Sequence, residues 1–215
     1  GDYFDGSNFI AAVWKDGVKT DLGAVGTDSE AWGVYVSNGI VYVTGYYYVG
    51  TDAVPAVWKD GVKTDLTITG ASAQAWSIYV NDGAVYIAGR YFVGTASVAA
   101  VWKDGVKTDL NVPATAKSSD TYSIYVSDGV VYVCGYYNDG TNDIAVTWKD
   151  GVRTDLTVTG ADALASAIYV NGGTVYAAGY YFDGTNDISA VWKDGVKTDL
   201  GVKGKDSYAW SVFAE

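Results

Sequence analysis

The sequence predicts an all-β chain of repeated four-stranded antiparallel units, and three recurring motifs carry that prediction. The string VWKDGVKTDL stands at Val13–Leu22, Val57–Leu66, Val101–Leu110 and Val191–Leu200, with TWKDGVRTDL at Thr147–Leu156. Its tryptophans, Trp14, Trp58, Trp102, Trp148 and Trp192, are 44, 44, 46 and 44 residues apart. A second motif reads AWGVYV at Ala31–Val36, AWSIYV at Ala75–Val80, TYSIYV at Thr121–Val126 and SAIYV at Ser166–Val170, with AWSVF at Ala209–Phe213. The third is VYVTGYY from Val41, VYIAGRY from Val85, VYVCGYY from Val131 and VYAAGYY from Val175.

Each unit therefore reads as four strands: A (SIYV), B (VYVAGYY), C (AAVWK) and D (VKTDL). All are rich in Val, Ile, Tyr and Trp, which fit a pleated, packed surface. SNG, NDG, SDG or NGG joins A to B, and KDG joins C to D. Asn-Gly and Asp-Gly accept the positive φ of two-residue hairpin turns. No segment keeps a helical period. Antiparallel four-stranded units at a period near 44 are the mark of β-propeller blades, whose sheets are covered on both faces.

The count gives a five-bladed propeller. Five units of 44 with one two-residue insertion need 222 residues, seven more than the 215 present. Ala209–Glu215 aligns with Ala75–Asn81, and Gly1–Phe4 with Gly89–Phe92, so the shortfall matches Asp82–Ala88. The expected closing blade is shared, with strand A from residues 204–215 and the rest from residues 1–22, lacking part of strand B. The other repeats span 26–66, 70–110, 116–156 and 160–200 of a single domain, 1–215. The rival reading is an excerpt from a longer array.

Composition narrows function. The chain has no His, so histidine-based triads and His-ligated zinc are excluded. Its one Cys excludes an internal disulfide and a cysteine metal cluster. A net charge of −11 argues against nucleic acid as a partner, and no run of 18 apolar residues is present for a membrane span. The chain begins without Met, so a targeting segment is expected outside it. No cofactor is expected.

The repeat unit resembles bacterial surface and lipoprotein sequences built on AVWK(N/D)G…SIYV…VYVAGYY, with a blade layout similar to NHL-type propellers. The likeness spans nearly the whole chain and implies an extracellular or bacterial cell-surface location. The five-blade count resembles tachylectin-type lectins, which implies lectin activity by fold analogy alone. The near-identical repeats also fit recent amplification or design.

The D–A and B–C loops vary between repeats, whereas the opposite rim of tight turns does not. Recognition is expected on the variable rim. Charge points there too. The five WKDG…TD segments are neutral, and the remaining 4 basic and 15 acidic residues supply the whole −11. Trp32, Trp76, Tyr122 and Trp210 stand at the start of strand A beside Asp28, Glu30, Asp120, Asp162 and Asp206. Aromatic faces next to carboxylates suit a sugar, whose C–H face stacks while its hydroxyls are hydrogen-bonded. The aromatics equally suit a plug at the mouth of a central channel. Asp139 and Asp143, with Asp183 and Asp187, sit in two DGTND segments whose oxygens suit Ca²⁺, although Asp-Gly and Asn-Asp also form ordinary turns. Cys134 reads as a small buried filler.

No acid is expected on the innermost strand, read as Val34–Val36 and its copies, and no residue set breaks the repeat symmetry. Acid pairs between D–A loops, such as Asp28 with Asp206, stay open. The expectation is a non-enzymatic propeller that binds glycan or protein at the variable rim. The alternative is a structural or self-assembling scaffold, which can form an oligomer through the edge of its incomplete blade.

Overall fold

The computed structural model describes residues 1–215 other than 24–26, 69, 71, 157, 159–160 and 203. The nine residues left out all fall in D–A loops, so part of the expected recognition rim lies outside the described residues. The described elements are all strands. They are β1 (Asp2–Phe4), β2 (Phe9–Lys15), β3 (Val18–Asp21), β4 (Ser29–Ser37), β5 (Ile40–Val49), β6 (Asp52–Lys59) and β7 (Val62–Asp65). Then come β8 (Ala73–Asn81), β9 (Ala84–Val93), β10 (Ala96–Lys103), β11 (Val106–Asp109), β12 (Ser118–Ser127) and β13 (Val130–Asn138). The last are β14 (Asp143–Lys149), β15 (Val152–Asp155), β16 (Ala163–Asn171), β17 (Thr174–Phe182), β18 (Asp187–Lys193) and β19 (Val196–Asp199).

They form five sheets: β1-β2-β3, β4-β5-β6-β7, β8-β9-β10-β11, β12-β13-β14-β15 and β16-β17-β18-β19. Each is a meander of sequence neighbours, so this set fits a five-bladed β-propeller. The first sheet has three strands, equivalent to B, C and D, and residues 206–215 form no strand.

Both families of hairpin turn take the expected backbone. Asp16, Asp60, Asp104, Asp150 and Asp194 of the KDG turns have φ of 46–51°, and the glycine after each is also positive. Two consecutive positive φ values define the type I′ turn, whose twist matches the strands it joins. The turn aspartates act again. The carboxylates of Asp60, Asp104, Asp150 and Asp194 accept the N–H of Val41, Val85, Val131 and Val175, tying the C–D turn to the start of strand B.

Contacts divide the chain into two units, residues 1–95 with 100–108, and 96–99 with 109–215. In the first unit, Ala11 and Leu22 pack with Ala31, Val43, Ala56 and Trp58. Trp58 is 1% exposed and donates Nε1–H to Leu22 O at 2.8 Å, and Trp102 donates to Thr67 O at 2.7 Å. The second unit repeats the device, with Trp148 donating to Asn111 O at 2.8 Å. In these three repeats the WKDG tryptophan is thus a bolt from strand C of one sheet into the loop of the sheet before it, whereas Trp192 Nε1 is buried without a partner among the described residues.

Outer strands carry a second repeated device. Tyr3, Tyr47, Tyr137 and Tyr181 donate their hydroxyls to Asp21, Asp65, Asp155 and Asp199. Lys19, Lys63, Arg153 and Lys197 lie over the same rings. The (K/R)TD of strand D is therefore a clamp on strand B.

Candidate active-site cleft

Strand A starts earlier than its SIYV core. β4 includes Glu30, β8 includes Gln74 and β12 includes Asp120. This corrects the expectation of an inner strand without acids. The reason is backbone pairing. Ser29, Glu30 and Ala31 pair with Tyr47, Tyr46 and Gly45, and Tyr48 N–H continues the ladder onto Asp28 O.

Each strand A then carries a β-bulge. Register shifts between Ala31 and Gly33, Ala75 and Ser77, Thr121 and Ser123, and Ala165 and Ala167. The extra residues are Trp32, Trp76, Tyr122 and Ser166. A bulge re-aims its side chain, so the expected aromatic positions are set by backbone geometry. The bulge also explains a fixed glycine in strand B. A Cβ on Gly45 would stand 1.9 Å from Glu30 O, and on Gly89, Gly135 or Gly179 at 1.9–2.1 Å from its counterpart.

In the first unit the bulges assemble a cluster. Trp32 and Trp76 meet edge-on at 5.2 Å, and Tyr46 lies 5.8 Å from both Trp76 and Tyr48. Trp32 donates Nε1–H to Glu30 Oε2 at 3.2 Å. Burial first, and then the hydrogen bond and charge of Glu30, push the Tyr46 hydroxyl above the ordinary phenol range. Arg90 lies 5.4 Å over Trp76 and donates Nε–H to Gln74 Oε1 at 2.8 Å. Sequence reasoning missed Tyr46, Gln74 and Arg90. The signal was available as cross-strand pairs that differ between repeats: Glu30–Tyr46, Gln74–Arg90, Asp120–Tyr136 and Leu164–Tyr180.

Beside this cluster an open cleft of about 670 Å³ is lined by Asn8, Phe9, Thr27, Asp28, Glu30, Tyr48, Gly50 and Thr51. Asp28 Oδ1 accepts Phe9 N–H at 2.8 Å, which leaves Oδ2 to the cleft. Two residues of extended chain separate Asp28 and Glu30, or about 6.6 Å between Cα atoms, and alternation puts both on one face. Ser29 and Ala31 between and after them are buried.

The other predicted residues are placed differently. Asp162 accepts Asp143 N–H and Asp206 accepts Asp187 N–H, the same latch as Asp28 on Phe9. Asp162 also lines a cleft of about 520 Å³ with Tyr181, Phe182 and Asp183. Asp120 is 1% exposed and accepts its neighbour's N–H, from Thr121. Tyr122 stacks on Tyr136 at 6.1 Å, and Trp210 lies 6.0 Å from Tyr208 and 6.1 Å from Tyr180. Of the calcium candidates, Asp139 and Asp183 each use Oδ1 to accept two loop N–H groups, from Thr141 and Asn142 and from Thr185 and Asn186. Asp143 accepts from Asn138 Nδ2, and Asp187 from Tyr208 hydroxyl. Among the described residues, no three acid or cysteine side chains gather as a metal ion requires.

At the positions of Asp28 and Glu30 the other repeats have Ser72 and Gln74, Ser118 and Asp120, Asp162 and Leu164, and Asp206 and Tyr208. Two acids coincide only in the first. A residue set that breaks the symmetry is therefore present, contrary to expectation.

The chain matches no protein-family model and no curated protein. Among solved structures it is similar to a Bombyx mori GH32 beta-fructofuranosidase, at 12% identity and TM-score 0.45, over 79% of this chain and 48% of that one. It is similar to a protein titled as a glycoside hydrolase, at 12% identity and TM-score 0.43, over 81% and 47%. A third is an exo-1,5-alpha-L-arabinanase from a bovine ruminal metagenomic library, at 13% identity and TM-score 0.41, over 81% and 74%. The chain spans about half the length of the first two. These similar structures are titled as glycoside-cleaving enzymes, and they correct the expectation of a non-enzymatic propeller that binds glycan or protein at its rim. At such identity and TM-score, the likeness itself assigns no activity.

Proposed function

We propose that the chain is a glycoside hydrolase whose reacting carboxylates are Asp28 and Glu30. The observation that carries this reading is that the one double-acid repeat position lines a cleft with both acids on one face. Inverting glycosidases hold their two carboxyls roughly 6.5–9.5 Å apart, leaving room for a water between base and sugar. Asp28, just before β4, and Glu30 within it have Cα atoms about 6.6 Å apart in extended chain, from which their carboxyl groups can take up that separation.

Glu30, held by the Trp32 indole and the Tyr46 hydroxyl, is the general base. It takes a proton from water as the water oxygen bonds to the anomeric carbon. The carbon–oxygen bond to the leaving group breaks as Asp28, entering the step as the neutral carboxyl, gives its Oδ2 proton to the leaving oxygen, and proton exchange with water then returns both groups to their starting forms. Phe9 and Tyr48 offer apolar faces for sugar C–H groups, and Asn8, Thr27 and Thr51 offer hydrogen-bonding partners. Asp28 acts from a fixed position because its other oxygen is latched to Phe9 N–H. An extracellular site of action is part of the same proposal, and it rests on the resemblance of the repeat unit.

The test is release of sugar from a panel of aryl glycosides and of furanose- and pyranose-based oligosaccharides. Turnover of at least one member is expected. No turnover of any member, by protein with an intact melting transition, overturns the reading.

A further inference from the structure

We propose that the cleft beside Asp162 is a second sugar site of this hydrolase, one that holds a neutral glycan and does not cut it. This cleft, of about 520 Å³, stands between the sheets β12-β13-β14-β15 and β16-β17-β18-β19. The cleft of Asp28 and Glu30 stands between β1-β2-β3 and β4-β5-β6-β7. Each lies within one of the two units.

The two clefts are built on the same backbone bonds. Asp162 Oδ1 accepts Asp143 N–H at 2.8 Å, as Asp28 Oδ1 accepts Phe9 N–H at 2.8 Å. Asp162 O accepts Phe182 N–H at 2.8 Å, as Asp28 O accepts Tyr48 N–H at 2.9 Å. An aromatic residue is thereby paired with a latched aspartate in both places. Asn142 and Asn8 close the same loop. The N–H of each donates to Oδ1 of the aspartate three residues before it, Asp139 or Asp5, and its O accepts that residue's N–H. Asn142, Asp162 and Phe182 therefore line the second cleft where Asn8, Asp28 and Tyr48 line the first.

One difference decides what the second cleft can do. Leu164 stands opposite Tyr180 where Glu30 stands opposite Tyr46, so the carboxylate assigned as base is missing. The binding groups remain. Tyr181 gives its hydroxyl to Asp199, which leaves Phe182, 39% exposed, as the face for a sugar ring. Asp162 Oδ2 accepts from sugar hydroxyls, and the Asn142 amide both donates and accepts. Asp162 and Asp183 line the cleft, and no Lys or Arg is among its described lining residues. Two carboxylates without a cation select a neutral sugar over an acidic one, because like charges repel. The choice of a sugar rests on the hydrolase reading, through the match between the two clefts.

The experiment follows the side-chain amide of Asn142 by NMR in Glu30→Gln protein, which spares the ligand. The probes are neutral furanose- and pyranose-based oligosaccharides, with an oligogalacturonate as the acidic control. The expected result is a saturable shift with at least one neutral probe and none with the acidic one. In Glu30→Gln/Phe182→Ala, with the melting transition intact, the affinity should be about tenfold weaker, since one stacked face is lost. No shift with any neutral probe, an affinity unchanged by Phe182→Ala, or an equal response to the oligogalacturonate overturns the proposal. Cleavage by wild type reports on the hydrolase reading and Asn142 reports on this cleft, so either can fail alone.

Discussion

Single side chains in this chain do one of two jobs, and hydrogen-bond partners tell the jobs apart. Trp58, Trp102 and Trp148 are each bound at the indole nitrogen by a carbonyl of the preceding loop, so their role is structural. Trp58→Phe leaves Leu22 O without its donor in a buried place. That loss costs about 1–3 kcal/mol, measurable by urea unfolding. Asp5, Asp139 and Asp183 are structural as well. The loop N–H groups that each accepts hold its carboxyl below the ordinary carboxylate range. The folded loop favours the charged form, so its contribution is complete above the unfolded-chain value and is lost as pH falls through the lower folded one. NMR titration should find these three protonating below about 3.9, the ordinary aspartate value. Burial pushes the Cys134 thiol well above its ordinary range, which fits its place as a filler between strands. It should be silent to a disulfide reagent in native protein and react fully once unfolded.

At the scale of elements, strands B, C and D and their turns were legible because each is a short β-rich run closed by Asn-Gly or Asp-Gly. The beginning of strand A was not. Its first residues, such as Ser29-Glu30-Ala31 or Ala73-Gln74-Ala75, lack β-branched side chains, and only pairing with strand B makes them strand. The bulge was hidden for a related reason, since one extra residue resets the alternation that reveals a strand. Its trace was the glycine repeated in strand B. Gly135→Ala tests this, because the new methyl would lie 2.0 Å from Asp120 O and backbone must move. A loss of about 2 kcal/mol or more is expected in denaturant unfolding, at the large end for single substitutions. The same bulge brings Trp32 onto Glu30, which is why the catalytic reading of Glu30 could not be drawn from the SIYV core.

For the whole molecule, repetition made the number and order of sheets legible. It also concealed the site, because attention to what the repeats share passes over the one place where two acids coincide. The expectation of a non-enzymatic binder followed from that attention. Burial raises the hydroxyl pKa values of Tyr46, Tyr137 and Tyr180. The folded protein then holds protons that the unfolded chain releases near pH 10. Stability from these groups is complete below that pH and declines as pH rises toward their folded values. The melting temperature should therefore be level through neutral pH and fall above about pH 10.

The account stands most directly on Asp28 and Glu30 as a reacting pair. The decisive measurement is the initial rate of glycoside cleavage by wild type, Glu30→Gln and Asp28→Asn, with the anomeric form of the first product read by NMR. The account predicts a drop of about 10²–10⁴ for Glu30→Gln at an unchanged melting temperature, with inversion at the anomeric carbon. Wild-type rates in Glu30→Gln, or a product of retained configuration, would contradict it.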